Sequence, residues 1–228
     1  MLDDLPDLKT IAARVQHTNV SPAATRDDIA LLCDQALEHG FDGVMVQPCW
    51  IGFCRTRLAS ASVKVCSAMA YPMGGSLTRS KRAELRDILS EGAQEVDFMA
   101  NIGFLASGDG AAFEDEVASL VQAAGTVPLK IMLELGALPR QHWEQAVQSA
   151  EAAGVAYVKN SSGWGEGGKA TVEIVTFLRQ TARRARVKAS GGIRTAADAR
   201  AILAAGADLI GTSAGPAIMA GAEGKGAY

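Results

Sequence analysis

Two lysines occupy matching places in the sequence, each near the end of an apolar run that is followed by small polar residues and glycine. Lys159 lies in VKNSSG, and Lys188 lies in VKASGG, 29 residues further on. Two ammonium groups in one partly desolvated site lose proton affinity, and a neutral lysine amine attacks carbonyl carbon. The pattern predicts imine chemistry, with Asp97 as the carboxylate that moves protons. The alternative is a structural network in which both lysines pair with Asp97 and Glu134.

Glycine clusters form a second group of candidate functional residues. Ser190-Gly191-Gly192 follows the run that contains Lys188, and residues 211–215 (GTSAG) follow the next apolar run. Glycine lets backbone N–H groups approach anionic oxygens, and barrel enzymes often bind phosphate on such loops. We therefore expect a phosphate site here, although tight strand-to-helix turns would have the same composition. A third cluster, residues 163–168 (GWGEGG), is either another wall of that site or a mobile loop.

The elements that must position these residues alternate along the chain, and several strand-to-strand intervals are near 30 residues, as βαβ units require. The predicted strands are 13–16, 43–47, 63–70, 95–101, 128–134, 156–160, 186–190 and 208–212. The predicted helices are 25–38, 80–91, 113–124, 140–153, 170–185 and 196–205.

This alternation predicts an α/β fold, a single-domain (β/α)8 TIM barrel, whose active site lies at the carboxyl ends of the strands. A doubly wound open sheet is the structural alternative. That fold usually has a glycine-rich turn after its first strand, and residues 16–20 (QHTNV) contain no glycine. The polar residues expected at the strand ends are Gln16, His17, Thr18, Gln47, Tyr71, Asp97, Asn101, Lys130, Glu134, Lys159, Lys188, Thr212 and Ser213.

Composition and charge argue against several classes of protein. The chain has 228 residues, of which 48% are hydrophobic, so it can bury a core of barrel size. Its net charge is −3, and the one short basic run, residues 183–186, is expected at a solvated helix end rather than on nucleic acid. No apolar run approaches the roughly 18 residues that span a bilayer, and the N-terminus lacks a secretory signal. We expect a cytoplasmic protein with no membrane and no nucleic-acid partner.

Metal and cofactor chemistry is not expected. Of the three histidines, His17 alone is placed near the barrel mouth, so no histidine cluster is available for a catalytic zinc ion. The four cysteines fit no common zinc spacing and are expected to be reduced, mostly buried packing residues. The sequence contains no dinucleotide fingerprint and no P-loop. We therefore expect neither a metal nor a cofactor.

Several motifs together resemble the deoxyribose-phosphate aldolase family, and they occur in that family's order. They are HT at 17–18, EVDFMANIGFLASGD at 95–109, LKIMLE at 129–134, YVKNSSGWGEGGKAT at 157–171, VKASGGIRTAADA at 187–199 and LIGTSAG at 209–215. The likeness extends from about residue 15 to residue 219. It implies a (β/α)8 barrel and a class I aldolase. That enzyme reversibly joins acetaldehyde to glyceraldehyde 3-phosphate and forms 2-deoxyribose 5-phosphate without a cofactor.

The resemblance also implies roles for individual residues. It assigns the Schiff-base lysine to Lys159, the lysine that lowers the pKa of that amine to Lys188, and the proton-relay carboxylate to Asp97. It places the contacts to the substrate phosphate at Gly163, Gly191, Gly192 and Ser213.

The C-terminus is part of the same resemblance. Many members end in a mobile tail whose tyrosine helps to move a proton at the enamine carbon. This chain ends in GKGAY, so Tyr228 is the corresponding candidate, on a flexible tail from about residue 220. A frayed glycine-rich terminus would have the same composition. Family members tend to form dimers, so a homodimer is the candidate assembly, although the sequence reveals no interface.

The sequence departs from the family pattern at four places, all of them expected at the barrel mouth. Gln16 stands where the family usually has Asp, Asn160 where it has Thr, Ala214 where it has a second serine, and residues 70–72 (AYP) where it has Gly-Phe-Pro. An amide at position 16 can form hydrogen bonds but cannot ionise. We therefore expect retained imine chemistry with altered substrate recognition, in which Gln16, Thr18 and Asn160 contact the substrate.

The leading hypothesis is cleavage of 2-deoxyribose 5-phosphate, and three alternatives stay open. A related class I aldolase would use a different pair of aldehydes. A sugar-phosphate-binding protein that has lost catalysis would not need the lysine pair. A phosphosugar isomerase on the same barrel would use acid and base groups and would form no covalent adduct.

Overall fold

The structure is a computed structural model that describes residues 6–164 and 168–224. In these residues eight parallel strands pair in chain order, and the last strand pairs with the first to close a barrel. The strands are β1 (Val15–Asn19), β2 (Gly43–Val46), β3 (Lys64–Met69), β4 (Glu95–Met99), β5 (Leu129–Met132), β6 (Tyr157–Lys159), β7 (Arg186–Ser190) and β8 (Leu209–Thr212). The predicted single-domain (β/α)8 fold class is confirmed.

Helices separate successive strands and cover the outside of the barrel. They are α1 (Leu8–Ala12), α2 (Arg26–His39), α3 (Ile51–Arg57), α4 (Thr78–Ser90), α5 (Ile102–Ala106), α6 (Gly110–Ala124), α7 (Trp143–Ala152), α8 (Val172–Thr181), α9 (Ala196–Ala204) and α10 (Gly215–Met219). In the described part of the chain, no helix has both the length and the apolar character needed to cross a membrane.

Alternation along each strand separates an apolar outer layer from the barrel interior, which is charged on the side of β4 to β7. Outward-facing side chains pack against the helices in the main hydrophobic core, as do Val65, Val96, Ile131 and Val187. The inward-facing residues of β4 to β7 instead include buried charged side chains, namely Glu95, Asp97, Lys130, Lys159 and Lys188. The hydrophobic core therefore lies between the strands and the helices, and the charged side chains of β4 to β7 point into the barrel.

Helix α2 shows how local sequence fixes the element boundaries. The Thr25 side chain accepts a hydrogen bond from the backbone of Asp28, whose carboxylate accepts from the backbone of Thr25. This capping box satisfies backbone donors that begin the helix. Gly40 ends the helix with φ 67°, a conformation that glycine adopts without a steric penalty. The predicted helix 25–38 accordingly agrees with α2 to within a residue at each end.

The structure differs from the predicted elements at several places, of which three have identifiable causes. Strand β1 begins and ends later than 13–16, because its inward positions are polar and hide the alternation. Helix α3 was not predicted, since its seven residues follow a short 3-10 turn without a capping side chain. Helix α8 ends at Thr181, so residues 183–186 lie in the turn and at the start of β7, where backbone N–H groups of 184 and 185 donate to Glu151. One cysteine, Cys49, is exposed rather than buried.

The start of the C-terminal tail is held against the barrel. The Gly224 backbone N–H donates to the Arg194 carbonyl at 3.0 Å. Gly224 is buried so closely against Ala214 that an added Cβ would lie 2.3 Å from the Ala214 Cβ. The tail that was expected to be flexible from about residue 220 is therefore anchored as far as Gly224. The predicted Tyr228 lies outside the described residues.

A buried ion pair joins α4 to α6 on the outside of the barrel. The fully buried Lys81 Nζ donates to Glu116 Oε1 at 2.6 Å and to the Met99 carbonyl at 3.2 Å. Thr78 Oγ1 donates to the other oxygen of Glu116 at 3.1 Å. Because Met99 ends β4, the Lys81 amine also fixes the end of the strand that carries Asp97.

We expect Lys81→Met to lower the free energy of unfolding by about 3–5 kcal/mol, because it leaves the Glu116 carboxylate buried without its cation. Urea unfolding followed by circular dichroism measures the change. The double variant Lys81→Met/Glu116→Leu should recover most of the loss, and Asp34→Ala, at an exposed ion pair, should leave the midpoint nearly unchanged. A double variant as unstable as the single one would contradict this account.

Candidate active site

Three lysine amines converge on one carboxylate inside the barrel. Asp97 Oδ2 accepts hydrogen bonds from Lys159 Nζ at 3.0 Å and from Lys188 Nζ at 2.7 Å. Its other oxygen accepts from Lys130 Nζ at 3.1 Å. The structure thus brings together the two lysines and the aspartate that the sequence singled out, and it adds Lys130 as a third amine.

The strand register explains this convergence. Lys159 on β6 is directly paired with Lys188 on β7, and Asp97 on β4 is directly paired with Lys130 on β5. Neighbouring strands lie about 4.8 Å apart, and paired residues point to the same face of the sheet. The repeated VK pattern therefore places both amines on the inner face at the same height in the barrel.

Burial and the neighbouring charges set the protonation of these groups. Burial alone would raise the pKa of Asp97, but the three ammonium groups hold it well below its usual range. Burial would lower the pKa of Lys130, but Asp97 and Glu95 raise it above its usual range. Burial lowers the pKa of Lys188 to about 8, and the charges of Lys159 and Lys130 act in the same direction against the attraction of Asp97. The pKa of Lys188 therefore lies below that of an ordinary lysine, and its predicted influence on Lys159 stays a prediction.

A second layer of charges lies below the lysines, toward the amino-terminal end of the barrel. Glu95 accepts from Lys130 Nζ at 2.7 Å and forms an ion pair with Lys64 at 3.1 Å. Burial opposes ionisation of Glu95, yet these two lysines and Gln16 lower its pKa to about 2. In the alternative network from the sequence, Lys159 and Lys188 pair with Asp97 and Glu134. Both amines contact Asp97, whereas Glu134 accepts from the Ser162 N–H.

Gln16 belongs to this buried layer. Its side-chain amide donates to Glu95 Oε2 at 2.8 Å and to Asp42 Oδ2 at 2.9 Å, and its carbonyl oxygen accepts from Lys188 Nζ at 2.5 Å. It is fully buried. The prediction that Gln16 lies at the mouth and contacts substrate is wrong in its placement, because β1 extends three residues beyond it.

The side chains of Asn160 and Thr18 also form hydrogen bonds within the protein. The Asn160 amide donates to the Ser190 carbonyl at 2.9 Å and accepts from the Ser190 N–H at 2.8 Å, which extends the pairing of β6 with β7. Thr18 Oγ1 donates to the Gln16 carbonyl at 2.9 Å. Because both Asn160 groups are used, its predicted substrate contact is not supported. His17 faces outward and contacts Gln35 on α2, so it does not reach the pocket.

The glycine loops lie beside this site. Gly163, Gly191 and Gly192 have φ values of 79°, 98° and 74°. Ser161 Oγ accepts from the Gly163 N–H at 3.3 Å and donates to the Ser190 carbonyl at 3.2 Å, which ties the loops after β6 and β7 together. A Cβ atom on Gly191 would lie 3.0 Å from the Gly168 carbonyl oxygen, so the loops approach closely only with glycine here.

Two further residues lie near the glycine loops: Ser213, just after β8, and Lys169, which sequence reasoning missed. Ser213 is half-buried just beyond the end of β8. The Lys169 side chain lies against Gly192, with Cδ 3.1 Å from where a Cβ on that glycine would be. Lys169 itself is exposed, so it can bring a positive charge to the glycine loops. Its place in the glycine-rich stretch after β6 was the available signal.

Two buried oxygen atoms have no hydrogen-bond partner among the described residues. They are Glu134 Oε1 and Ser190 Oγ. Glu134 has φ 46°, and its other oxygen accepts from the Ser162 N–H at 2.8 Å. Ser190 Oγ lies 2.3 Å from where a Cβ on Gly211 would be, so Gly211 leaves room for the hydroxyl. Unpaired buried oxygens are costly, and a polar ligand would satisfy them. Ser190 could have been found from the sequence, since it is two residues beyond Lys188 and shares its inward face.

The opposite side of the barrel interior is apolar. Val20, Met45, Cys66 and Ala68 form a hydrophobic cluster separate from the main core, and Tyr71 packs against it. The Tyr71 hydroxyl donates to the Ser162 carbonyl at 3.3 Å, and its ring meets Trp164 edge-on at 6.5 Å between centroids. The barrel interior therefore has an apolar surface formed by β1 to β3 and the residues just beyond them, which Tyr71 and Trp164 connect to the loop after β6.

Among the described residues, no group of three or more His, Cys, Asp and Glu side chains is arranged to hold a metal ion. The reactive groups that the structure does assemble are amines, carboxylates and backbone donors. These groups can perform nucleophilic attack on a carbonyl, proton exchange and anion binding.

Comparisons with known proteins agree with this arrangement. Residues 8–221 match the family described as DeoC/LacD family aldolase. Curated relatives named deoxyribose-phosphate aldolase include one from Methanocella arvoryzae, which is 40% identical over 222 residues (96% of this chain and 99% of the relative). Another, from Brevibacillus brevis, is 42% identical over 210 residues (92% of this chain and 95% of the relative).

Solved structures show the same architecture. A deoxyribose phosphate aldolase from Aeropyrum pernix, described as a unique tetramer, superposes with a TM-score of 0.88 at 30% identity, over 96% of this chain and 93% of the other. The aldolase QR15 superposes with a TM-score of 0.87 at 27% identity, over 92% of this chain and 94% of the other.

The lysine cluster predicts a pH-dependent effect of Asp97→Asn. At pH 7 the variant should lose about 3–5 kcal/mol of unfolding free energy, because the buried ammonium groups lose their shared anion. The pKa values of those amines then fall, so the folded variant binds fewer protons than the unfolded chain and is stabilised as pH rises. Urea unfolding should show a smaller difference in unfolding free energy between the variant and the unsubstituted protein at pH 9.5 than at pH 7. A constant difference would contradict the cluster, and Asp34→Asn, at an exposed ion pair, is the control.

Proposed function

The chain belongs to the DeoC/LacD aldolase family, and we propose that it reversibly cleaves 2-deoxyribose 5-phosphate to acetaldehyde and glyceraldehyde 3-phosphate through an imine on Lys159. The observation that carries this proposal is the pairing of Lys159 with Lys188 on one oxygen of Asp97, inside the barrel. A phosphate site alone would not require two buried amines. An isomerase would need acid and base groups but no amine free to attack carbon.

Differences among the three amines favour Lys159 as the proposed nucleophile. Lys130 contacts two carboxylates and Lys188 contacts Asp97 and Gln16, and both side chains are fully buried. Among the described residues Lys159 has one ionic partner, Asp97, and its side chain is 7% exposed. A nucleophile must be reached by the substrate aldehyde and must move as its bond forms, and Lys159 is the amine with that freedom.

The reaction then follows from amine chemistry. The neutral Lys159 amine attacks the aldehyde carbon C1 to form a carbinolamine, which loses water to form a protonated imine. The C2–C3 bond breaks as its electron pair moves toward the imine nitrogen, which leaves an enamine, and the C3 hydroxyl proton leaves to a base. The enamine C2 then takes up a proton, and water hydrolyses the imine to release acetaldehyde and restore Lys159. Water is released once and consumed once.

Lys188 and Asp97 carry the protons of these steps. Burial lowers the pKa of Lys188 to about 8, so its amine can give up and regain a proton near neutral pH. Asp97 links both amines through one oxygen, which keeps Lys188 beside Lys159, and it is proposed to relay protons between the reacting groups by way of a water molecule. Tyr228 remains the proposed proton donor at the enamine carbon.

The glycine loops are proposed to bind the phosphate. Gly163, Gly191, Gly192 and Ser213 offer backbone and hydroxyl donors, and Lys169 adds a positive charge beside them. The buried oxygens of Glu134 and Ser190 are available for substrate hydroxyls, the part that the sequence assigned to Gln16 and Asn160.

A second candidate is a class I aldolase with another pair of aldehydes. The apolar surface of β1 to β3 and the Tyr71–Trp164 contact favour it, since they would accept donors larger than acetaldehyde. A cytoplasmic role in carbohydrate catabolism and assembly as a homodimer belong to the same proposal as the leading function.

Imine trapping tests the nucleophile. Incubation with 2-deoxyribose 5-phosphate or acetaldehyde, followed by borohydride, should leave a reduced adduct on Lys159, located by peptide mass. Lys159→Met should remove the adduct and lower turnover by at least about 10⁴-fold while melting normally, because Asp97 keeps two other lysines. Lys9→Met, at an exposed amine, should label as before. An adduct that maps to Lys188 or persists in Lys159→Met would overturn the assignment, and labelling by other aldehydes alone would favour the second candidate.

Gly191→Ala tests the phosphate site. The alanine is strained at φ 98° and its Cβ would press on the Gly168 carbonyl, so the loop should no longer fit the anion. We expect KM for 2-deoxyribose 5-phosphate to rise at least about tenfold, while kcat/KM for unphosphorylated 2-deoxyribose changes much less. Gly40→Ala, with φ 67° at the end of α2, is the matched control. Equal losses on both substrates would argue against phosphate binding here.

A further inference from the structure

Gln16 is an uncharged side chain placed inside a network of buried charges. Its amide nitrogen lies 2.9 Å from Asp42 Oδ2 and 2.8 Å from Glu95 Oε2, while its oxygen lies 2.5 Å from Lys188 Nζ. The residue is fully buried, and every donor and acceptor atom of its amide has a partner. It therefore connects two carboxylates with one amine.

The chemistry of the neighbours fixes how this amide is oriented. The pKa of Glu95 is about 2, because Lys130 and Lys64 outweigh the effect of burial, so its carboxylate can only accept hydrogen bonds. The Gln16 NH2 group must face the carboxylates, and the oxygen must face the Lys188 ammonium. A reversed amide would set donors against donors and acceptors against acceptors.

Asp42 is the carboxylate on the far side of this connection. It forms an ion pair with Lys64 at 2.7 Å and accepts from Gln16, and the Gln16 amide lies between it and Lys188. Direct contact with a second carboxylate would strengthen the hold of Lys188 on its proton, as Lys130 shows with Glu95 and Asp97.

We propose that Gln16 is a positioning residue that holds the Lys188 amine through an uncharged oxygen and keeps the Asp42 carboxylate one hydrogen bond away from it. This inference rests on the proposed function, because Gln16 acts only through Lys188. Its consequence is that Lys188 remains a proton exchanger near neutral pH instead of becoming a permanent cation like Lys130.

The groups around Lys188 come from most strands of the barrel. β2 and β8 present Gly43, Leu209 and Gly211, which carry no charge. The titratable, charged and hydrogen-bonding neighbours are Gln16 from β1, Cys66 from β3, Asp97 from β4, Lys130 from β5 and Lys159 from β6. Burial and the two other amines lower the pKa of Lys188, and Asp97 is the one of these groups whose negative charge contacts its amine directly.

Two variants change this connection in opposite directions. Gln16→Glu/Asp42→Asn keeps the net charge and moves a carboxylate from one hydrogen bond away into contact with Lys188. Gln16→Met keeps the approximate size and removes the acceptor. The Lys188 amine is titrated by NMR in substrate-free protein that carries isotopically labelled lysine, and its signal is assigned with Lys188→Arg.

We expect the Lys188 titration midpoint to rise by about one pH unit or more in the double variant and to fall in Gln16→Met. The limb of the kcat/KM profile that Lys188 governs should move in the same directions. A residue with a merely structural role would not move one titration both ways. Gln94→Glu adds a charge at an exposed site outside the barrel and should leave the Lys188 midpoint in place.

Folded variants in which Lys188 titrates as in the unsubstituted protein would overturn the proposal. If the double variant does not fold, Gln16→Met alone tests the proposal, because an unchanged Lys188 midpoint in that variant would also overturn it. Borohydride trapping on the unsubstituted protein keeps this test separate from the proposed function. Failed trapping with a shifted Lys188 would reject the imine mechanism alone, while successful trapping with an unmoved Lys188 would reject the role of Gln16 alone.

Discussion

The attraction between Asp97 and three lysine amines is the interaction on which the site depends. One carboxylate without contact to water offsets three positive charges, so every nearby group must be placed to limit the cost of their burial. Glu95 lowers part of this burial cost by pairing with Lys130, and Gln16 lowers another part by accepting from Lys188 without adding charge. The amines consequently differ in partner number and exposure although they are the same chemical group.

The closed barrel is what makes such a cluster tolerable. Barrel interiors of this class are usually filled by branched aliphatic side chains, but here the interior of β4 to β7 is charged. Stability then comes mainly from the layer between strands and helices, where Val96, Ile131 and Val187 are fully buried. The molecule separates the side chains that hold the fold together from those that do chemistry, on alternate residues of the same strands.

The sequence was sufficient for the fold and for the Lys159–Lys188–Asp97 group because repeated spacing carries that information. Two VK motifs that are one βαβ unit apart fall on neighbouring parallel strands, so they predict two amines that lie side by side. Depth along the barrel axis is not encoded in the same way. Gln16 was expected at the mouth and lies beneath the lysines, because the polar strand β1 gave no sign of where it ends. Asn160 was predicted to contact substrate, and in the structure it bonds to the Ser190 backbone, because a side chain that completes a sheet and one that binds a ligand look alike in sequence.

The two unlike walls of the pocket bear on stereochemistry. An enamine on Lys159 would have the apolar β1–β3 surface on one side and the hydrogen-bonding loops after β6 and β7 on the other. A carbonyl acceptor held by its polar end can then approach the planar enamine from one face only. The configuration of the carbon that gains the new bond would thus follow from the division of the barrel into an apolar side and a hydrogen-bonding side. Exchanging apolar and polar side chains between the two sides is the change that would invert that configuration.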